Sequence, residues 1–216
     1  MKMKLQPVCR LLRDYSDRKL EEELPDEVLL DYHIAKEPQK LCVKGNAVIH
    51  ISGKEVDISG FAEGVEFLAS ELTHIQSVRI NAPKFMTIEN RTSYLRYHSD
   101  HAVTFYLGGY TNRYQRDFIK LVYASNPNVR YEHFGDMDAG GFWIHHNLCE
   151  VTGVRFELFG MSIRELQNTE HARCLHQLSE NDRVRLLELG RMEPYAEVVD
   201  YMLEQGVKLE QEIVSL

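Results

Sequence analysis

No apolar run in the sequence approaches the roughly 20 residues that a helix needs to cross a bilayer, so the chain is read as having no membrane partner. The first residues, MKMKLQPVCRLLRDYSD, lack the apolar centre and small-residue cleavage site of a secretory signal. Cysteines number four, at 9, 42, 149 and 174, with neither zinc-ligand spacing nor a disulfide framework. They are expected to be buried thiols in a reducing cytoplasm. There is no GxxxxGK[ST] loop, which argues against an NTPase. Positive charge is also short: the formal net charge is -8, against a free-standing, sequence-independent nucleic-acid binder. An acidic metal site, or a partner that supplies the basic surface, stays open.

Within these exclusions, 44% hydrophobic and 27% charged residues suit a globular chain, and 216 residues allow one large domain with an appendage. Residues 1–40 are charged, carry Pro7, Pro25 and Pro38, and read as an N-terminal arm or the remnant of a preceding domain, with short helices over 18–23 and 26–34. Residues 41–60 read as two strands joined by a hairpin at 52–54. Residues 61–72 follow as an amphipathic helix carrying Phe61, Val65, Leu68 and Leu72. Strands are expected at 78–80, 85–89, 102–107, 129–134 and 155–159, with helices at 113–123 and 142–151 and one opening after Asn90. Alternating strands and helices signify a parallel sheet flanked by helices. The tail is expected to be helical. Ser179 and Asp182 form a capping pair, and a helix over 195–205 follows Pro194 and ends at Gly206. Residues 207–216, treated as a helix, set Leu209, Ile213 and Leu216 on one face, with Glu210 and Glu212 flanking it and Gln211 pointing away.

The chemistry concentrates in residues 131–141, YEHFGDMDAGG. An extended backbone through Met137 projects Asp136 and Asp138 from one side. Carboxylates held that close repel unless a cation sits between them, though Asp and Gly also favour turns on local grounds. The glycines let a backbone or a phosphate come near. Glu89 ends another strand. In parallel sheets sites form beyond the carboxyl ends of strands, so Glu89, Asp136 and Asp138 can meet if their strands are neighbours. Hard oxygen donors favour Mg2+ or Mn2+ over zinc. His145 and His146, adjacent on a helix, point about 100° apart and suit packing better than one shared metal. His133 points away from Phe134 and is a lesser candidate for touching substrate. Arg113, Arg116 and Lys120 read as phosphate contacts or as a solvated helix face. Asn90 and Thr92 read as helix caps that can also orient Glu89 or contact DNA. Cys149 and Trp143 are assigned to packing.

A Glu at one strand end, then Asp-x-Asp followed by glycine, resembles the Toprim domain of topoisomerases, primases and related nucleases. PKFMTIENRTSYLRY (83–97), FYLGGYTNRYQRDF (105–118), HFGDMDAGG (133–141) and VKLEQE (207–212) resemble, in that order, the C-terminal region of the JetD family. These are nuclease subunits of the bacterial Wadjet plasmid-defence system, similar in their Toprim part to the topoisomerase VI A subunit and the meiotic recombination nucleases. The resemblance implies a Toprim-like α/β domain over 78–216, with a mainly parallel four-stranded sheet and a β-hairpin and helix extension over 41–77. Only about 40 residues precede it, as in a C-terminal fragment or a shortened member. It further implies a Mg2+- or Mn2+-dependent endonuclease with Glu89, Asp136 and Asp138 as metal ligands, and Glu89 doubling as general acid or base. Because residues 207–212 fall in a matching block, Glu210 or Glu212 becomes a candidate further acid, with Glu212 the one carried into the metal set. The implied partners are double-stranded DNA, an SMC-type complex and, for a dimeric form, a second copy. None of the eleven tyrosines sits in a motif that marks a nucleophile, which favours hydrolysis over topoisomerase-type strand breakage. The rivals are small-molecule phosphotransfer on the same carboxylates and a non-catalytic docking module.

Overall fold

The computed structural model describes residues 38–214; the helices expected at 18–23 and 26–34, together with Cys9 and Leu216, lie outside them. The strands are β1 (Lys40–Lys44), β2 (Ala47–Ile51), β3 (Lys54–Asp57), β4 (Val65–Leu68), β5 (Ile75–Ile80), β6 (Lys84–Ile88), β7 (Ala102–Tyr106), β8 (Arg130–Phe134), β9 (Glu157–Leu158), β10 (His176–Gln177) and β11 (Val207–Lys208). The α-helices are α1 (Arg91–Arg96), α2 (Arg113–Ser125), α3 (Ala139–Thr152), α4 (Ile163–Gln167), α5 (Glu180–Leu189) and α6 (Ala196–Gln205).

The main sheet runs β4-β1-β7-β6-β8-β9. β6 pairs in parallel with both β7 and β8, and β8 with β9, while β1 and β4 extend the sheet antiparallel. The sheet has six strands where four were expected, with β7, β6, β8 and β9 as its parallel part. The central strands are buried on both faces, as helices on either side of a parallel sheet require. Along β6, Phe85 enters one core with Phe105, Phe118, Ile119 and Ile144, whereas Met86 and Ile88 enter the other with Phe142, Leu186, Val199 and Met202. No helix among the described residues is long and apolar enough to cross a membrane.

Three expectations are corrected. Residues 41–60 form three strands, and they serve two sheets: β1 joins the main sheet, while the β2–β3 hairpin, turning through Ser52 and Gly53 at positive φ, pairs with β5 in a separate three-stranded sheet. Residues 61–72 are not a helix. Gly64 sits at φ +81°, where a Cβ would meet the Val43 carbonyl at 2.5 Å, and β4 then alternates half-buried and exposed beside β1 before a 3-10 turn over Ala69–His74. The sequence spacing fitted both periods, and pairing with β1 decides the outcome. Of the helix expected over 207–216, the described residues 207–214 take another form: β11 pairs with β10, Leu209 bridges Met137, and a 3-10 turn covers Gln211–Ile213.

The capping residues act as their types suggest. Asn90 accepts from the Thr92 and Ser93 N–H groups, and Ser179 and Asp182 form a reciprocal capping box. Asn112 with Gln115 does the same at α2. Gly206 closes α6 in the left-handed conformation.

Candidate metal centre

β6 and β8 are direct neighbours, in register from Lys84–Arg130 to Ile88–Phe134. Glu89 and Asp136 follow these strand ends, and the Glu89 N–H still donates to the Phe134 carbonyl at 3.0 Å. The loop after β7 closes over the same place, its Gly108 N–H donating to the Glu89 carbonyl at 3.1 Å. Beyond Asp136 the backbone stays extended because Met137 exchanges both backbone hydrogen bonds with Leu209. Met137 is fully buried, so Asp136 and Asp138 project from the opposite side. Asp138 caps α3, its Oδ1 accepting from the Gly141 N–H at 2.8 Å. A Cβ on Gly141 would meet the Asp136 carbonyl at 2.1 Å. This glycine lets α3 start against the strand end.

The C-terminal segment completes the cleft. Gln211 is wholly buried rather than pointing away. Its Nε2 donates to the Phe134 carbonyl at 3.1 Å, its Oε1 accepts from the Asn90 N–H at 2.9 Å, and its backbone N–H donates to Asp136 Oδ1 at 2.8 Å. With Gln211 turned inward, Glu210 and Glu212 face the other way. Carboxylate oxygens of Asp136, Glu210 and Glu212 lie within 4.8 Å of one another. Asn90 Nδ2 donates to Glu212 Oε1.

Five acids therefore converge, and their electrostatics show it. Burial pushes the Glu89 carboxyl up to about 7, with Asp136, Asp138 and Glu210 adding to the rise while the Asp136 backbone N–H opposes it. Burial likewise raises Asp136 to about 6, and Glu210, Asp138 and Glu212 push the same way against the Gln211 N–H. Lys208 stands alongside, 3.1 Å from Asp182 and 4.0 Å from Asp138.

The other sequence candidates divide. Asn90 belongs to this site through Gln211 and Glu212. Thr92 is exposed and contributes its backbone N–H to the cap. Arg113 is exposed and 3.7 Å from Asp117, and Arg116 is half-buried; both lie on α2, which follows the Gly108 loop. His145 is buried, within 2.6 Å of the Tyr195 hydroxyl and 2.9 Å of the Phe156 carbonyl, a packing role. Cys149 and Trp143 pack in the cores; Cys42, Cys149 and Cys174 are free thiols. Sequence reading missed Gln211, and it missed a groove of about 400 Å3 where Glu212 meets Ser93, Arg96 and His98. A cavity of about 670 Å3 between α3, β9 and the residues before α6 includes none of these acids.

The family described as "Wadjet protein JetD, C-terminal" matches residues 42–216. Over 211 residues, 94% of this chain and 51% of the relative, the sequence is 23% identical to the Wadjet protein JetD of Bacillus cereus (strain Q1). The chain thus spans about half the length of the curated relative it matches.

Proposed function

The chain belongs to the JetD C-terminal family, and on that premise we propose that it is a Mg2+- or Mn2+-dependent DNA endonuclease of Toprim type, acting in plasmid defence with an SMC-type complex. The observation that carries this reading is the convergence of Glu89, Asp136, Asp138, Glu210 and Glu212 at the carboxyl ends of β6 and β8. The donor set fits a hard divalent cation: all are carboxylates, their neighbours raise the proton affinity of Glu89 and Asp136, and Glu89 Oε2 is buried without a partner among the described residues. Asp136 would hold the ion, with Glu89 and Asp138 on the sheet side and Glu210 and Glu212 on the tail side. Such an ion offsets the charge that develops on phosphoryl oxygens during phosphodiester hydrolysis.

The chain's own residues supply the rest. Glu89, with a proton affinity near neutrality, is suited to take a proton from water or give one to the leaving oxygen. Gln211 fixes Asp136 by its backbone N–H and ties the two strand ends together. Arg96 beside Glu212, and Arg113 at the start of α2, would meet phosphates flanking the cleft. With a net charge of -8, most of the grip on double-stranded DNA falls to partner subunits.

The test is cleavage of supercoiled plasmid by the full-length protein with its partner complex, with and without Mg2+ or Mn2+. Metal-dependent cutting by wild type and none by Asp136→Asn supports the reading. Equal cutting by both overturns it and leaves a docking module.

A further inference from the structure

Two buried polar atoms near the acids have no hydrogen-bond partner among the described residues: Glu89 Oε2 and His133 Nε2. Both border the bare face of Gly135, where a Cβ would sit 2.7 Å from the first and 2.9 Å from the second. They can be no farther apart than those two distances end to end, within reach of a direct bond or of one bridging water.

His133 is wholly buried in β8, on the face covered by α3, its ring centroid 5.6 Å from that of His145. Its Nδ1 lies 2.8 Å from Oγ1 of Thr87, its register partner on β6. The alternative acceptor for the Thr87 hydroxyl, the Glu132 carbonyl, is 3.4 Å away. Thr87 Oγ1 can either donate to Nδ1 or accept from it, but an ionised Glu89 Oε2 can only accept, so pairing the two orphan atoms puts the ring's proton on Nε2 and makes the Thr87 hydroxyl the donor to Nδ1. Burial, and secondarily His145, keep the ring neutral. A buried Nε2–H without an acceptor is costly, as is a buried carboxylate oxygen without a donor. Each supplies what the other lacks.

We propose that Thr87, His133 and Glu89 form one buried hydrogen-bonded line, in which the His133 Nε2–H donates to Glu89 Oε2, directly or through one water over Gly135, and fixes the carboxylate's orientation. It rests on the reading of Glu89 as part of the reactive site. His133 is a positioning residue, acting on the metal cleft from behind, and Gly135 is required because any side chain there would fill the meeting point.

The test uses the full chain with 15N-labelled histidine, without metal or DNA. The expected spectrum shows His133 as the Nε2–H tautomer, and Glu89→Gln shifts its Nε2 resonance more than Glu212→Gln does. A slowly exchanging Nε2 proton marks a direct bond, and a cross-peak with water marks a bridge. An Nδ1–H tautomer, or equal shifts from both variants, overturns the proposal. A second arm measures Mn2+ affinity. His133→Leu is expected to weaken it several-fold and His133→Gln, which keeps a donor, to restore most of it. A folded His133→Leu that binds Mn2+ like wild type also overturns the proposal. Because the spectra involve no cleavage, absence of nuclease activity would leave this line standing, and absence of the line would leave the nuclease reading standing.

Discussion

β6 and β8 deliver their acids by regular pairing. Their register is continuous over the whole of both strands, and Glu89 and Asp136 emerge where that ladder ends. Residues 207–214 reach the same cleft with far less: a short ladder with β10, one bridge to Met137 and the side chain of a single buried glutamine. The first arrangement is over-determined, because many packed residues fix it. The second hangs on a few polar contacts made by Gln211 and on the buried Leu209. The two halves of the cleft should therefore fail differently: acids on the sheet side at the level of chemistry, the tail at the level of anchoring.

The largest expected effect is on the sheet side. Asp136→Asn in the complete protein with its partners should lower plasmid cleavage by about 100-fold or more, since a group needed in the transition state is removed. Glu212→Gln should cost only about tenfold; an equal loss would erase the distinction between the two halves. Next is Gly141→Ala. Its new methyl has to displace the Asp136 backbone, and overpacking of this kind costs about 1–3 kcal/mol. For a chain of this size that lowers the melting temperature by roughly 2–4 °C per kcal/mol, measurable by calorimetry. Gln211→Ala comes third. It leaves the Asn90 N–H without its partner, whereas the Phe134 carbonyl keeps the Glu89 N–H. Destabilisation of about 1–3 kcal/mol is expected in denaturant titration. Faster hydrogen exchange at Leu209, with β6 and β8 unchanged, would confirm a tail that detaches alone.

The smallest effect is in pH. Glu89 and Asp136 rise from ordinary values of 4.5 and 3.8 to about 7 and about 6 in the fold. In that range the unfolded chain binds fewer protons than the folded one, so stability falls as pH rises. This contribution is fully present below about pH 4 and is lost by about pH 7 in metal-free protein. Comparing wild type with Glu89→Gln by denaturant titration isolates it. The variant should gain on the wild type across that window, and saturating Mg2+ should remove the advantage.

The sheet side was legible because several local signals agreed. The apolar run 85–89 ending in an acid, the alternating residues before Asp136, cap residues at Asn90, and glycines after Asp138 all pointed to strand ends meeting helix starts, and β6 and β8, which end beside Glu89 and Asp136, are neighbours as expected. Residues 61–74 were not legible, since Phe61, Val65, Leu68 and Leu72 fit a helical stripe, whereas in the fold Val65, Phe67, Ala69 and Leu72 pack inward and Phe61 and Leu68 are exposed. The tail misled for a related reason. Leu209 and Ile213 suit one helix face, but the segment's conformation is set by Met137 and by Gln211, a polar residue whose burial no composition or periodicity announces. His133 was legible as pointing away from Phe134. Its link to Thr87 depends on register between two strands, which one sequence does not display.

The central claim is that these carboxylates form one divalent-cation centre at the ends of β6 and β8. Crystals of the protein soaked in Mn2+ and measured at the manganese absorption edge test it most directly. The account predicts an anomalous peak bonded to Asp136 and to at least one of Glu89, Asp138, Glu210 and Glu212, absent in Asp136→Asn. A map with no peak at Asp136 under saturating Mn2+, or a peak that persists there in Asp136→Asn, would contradict it.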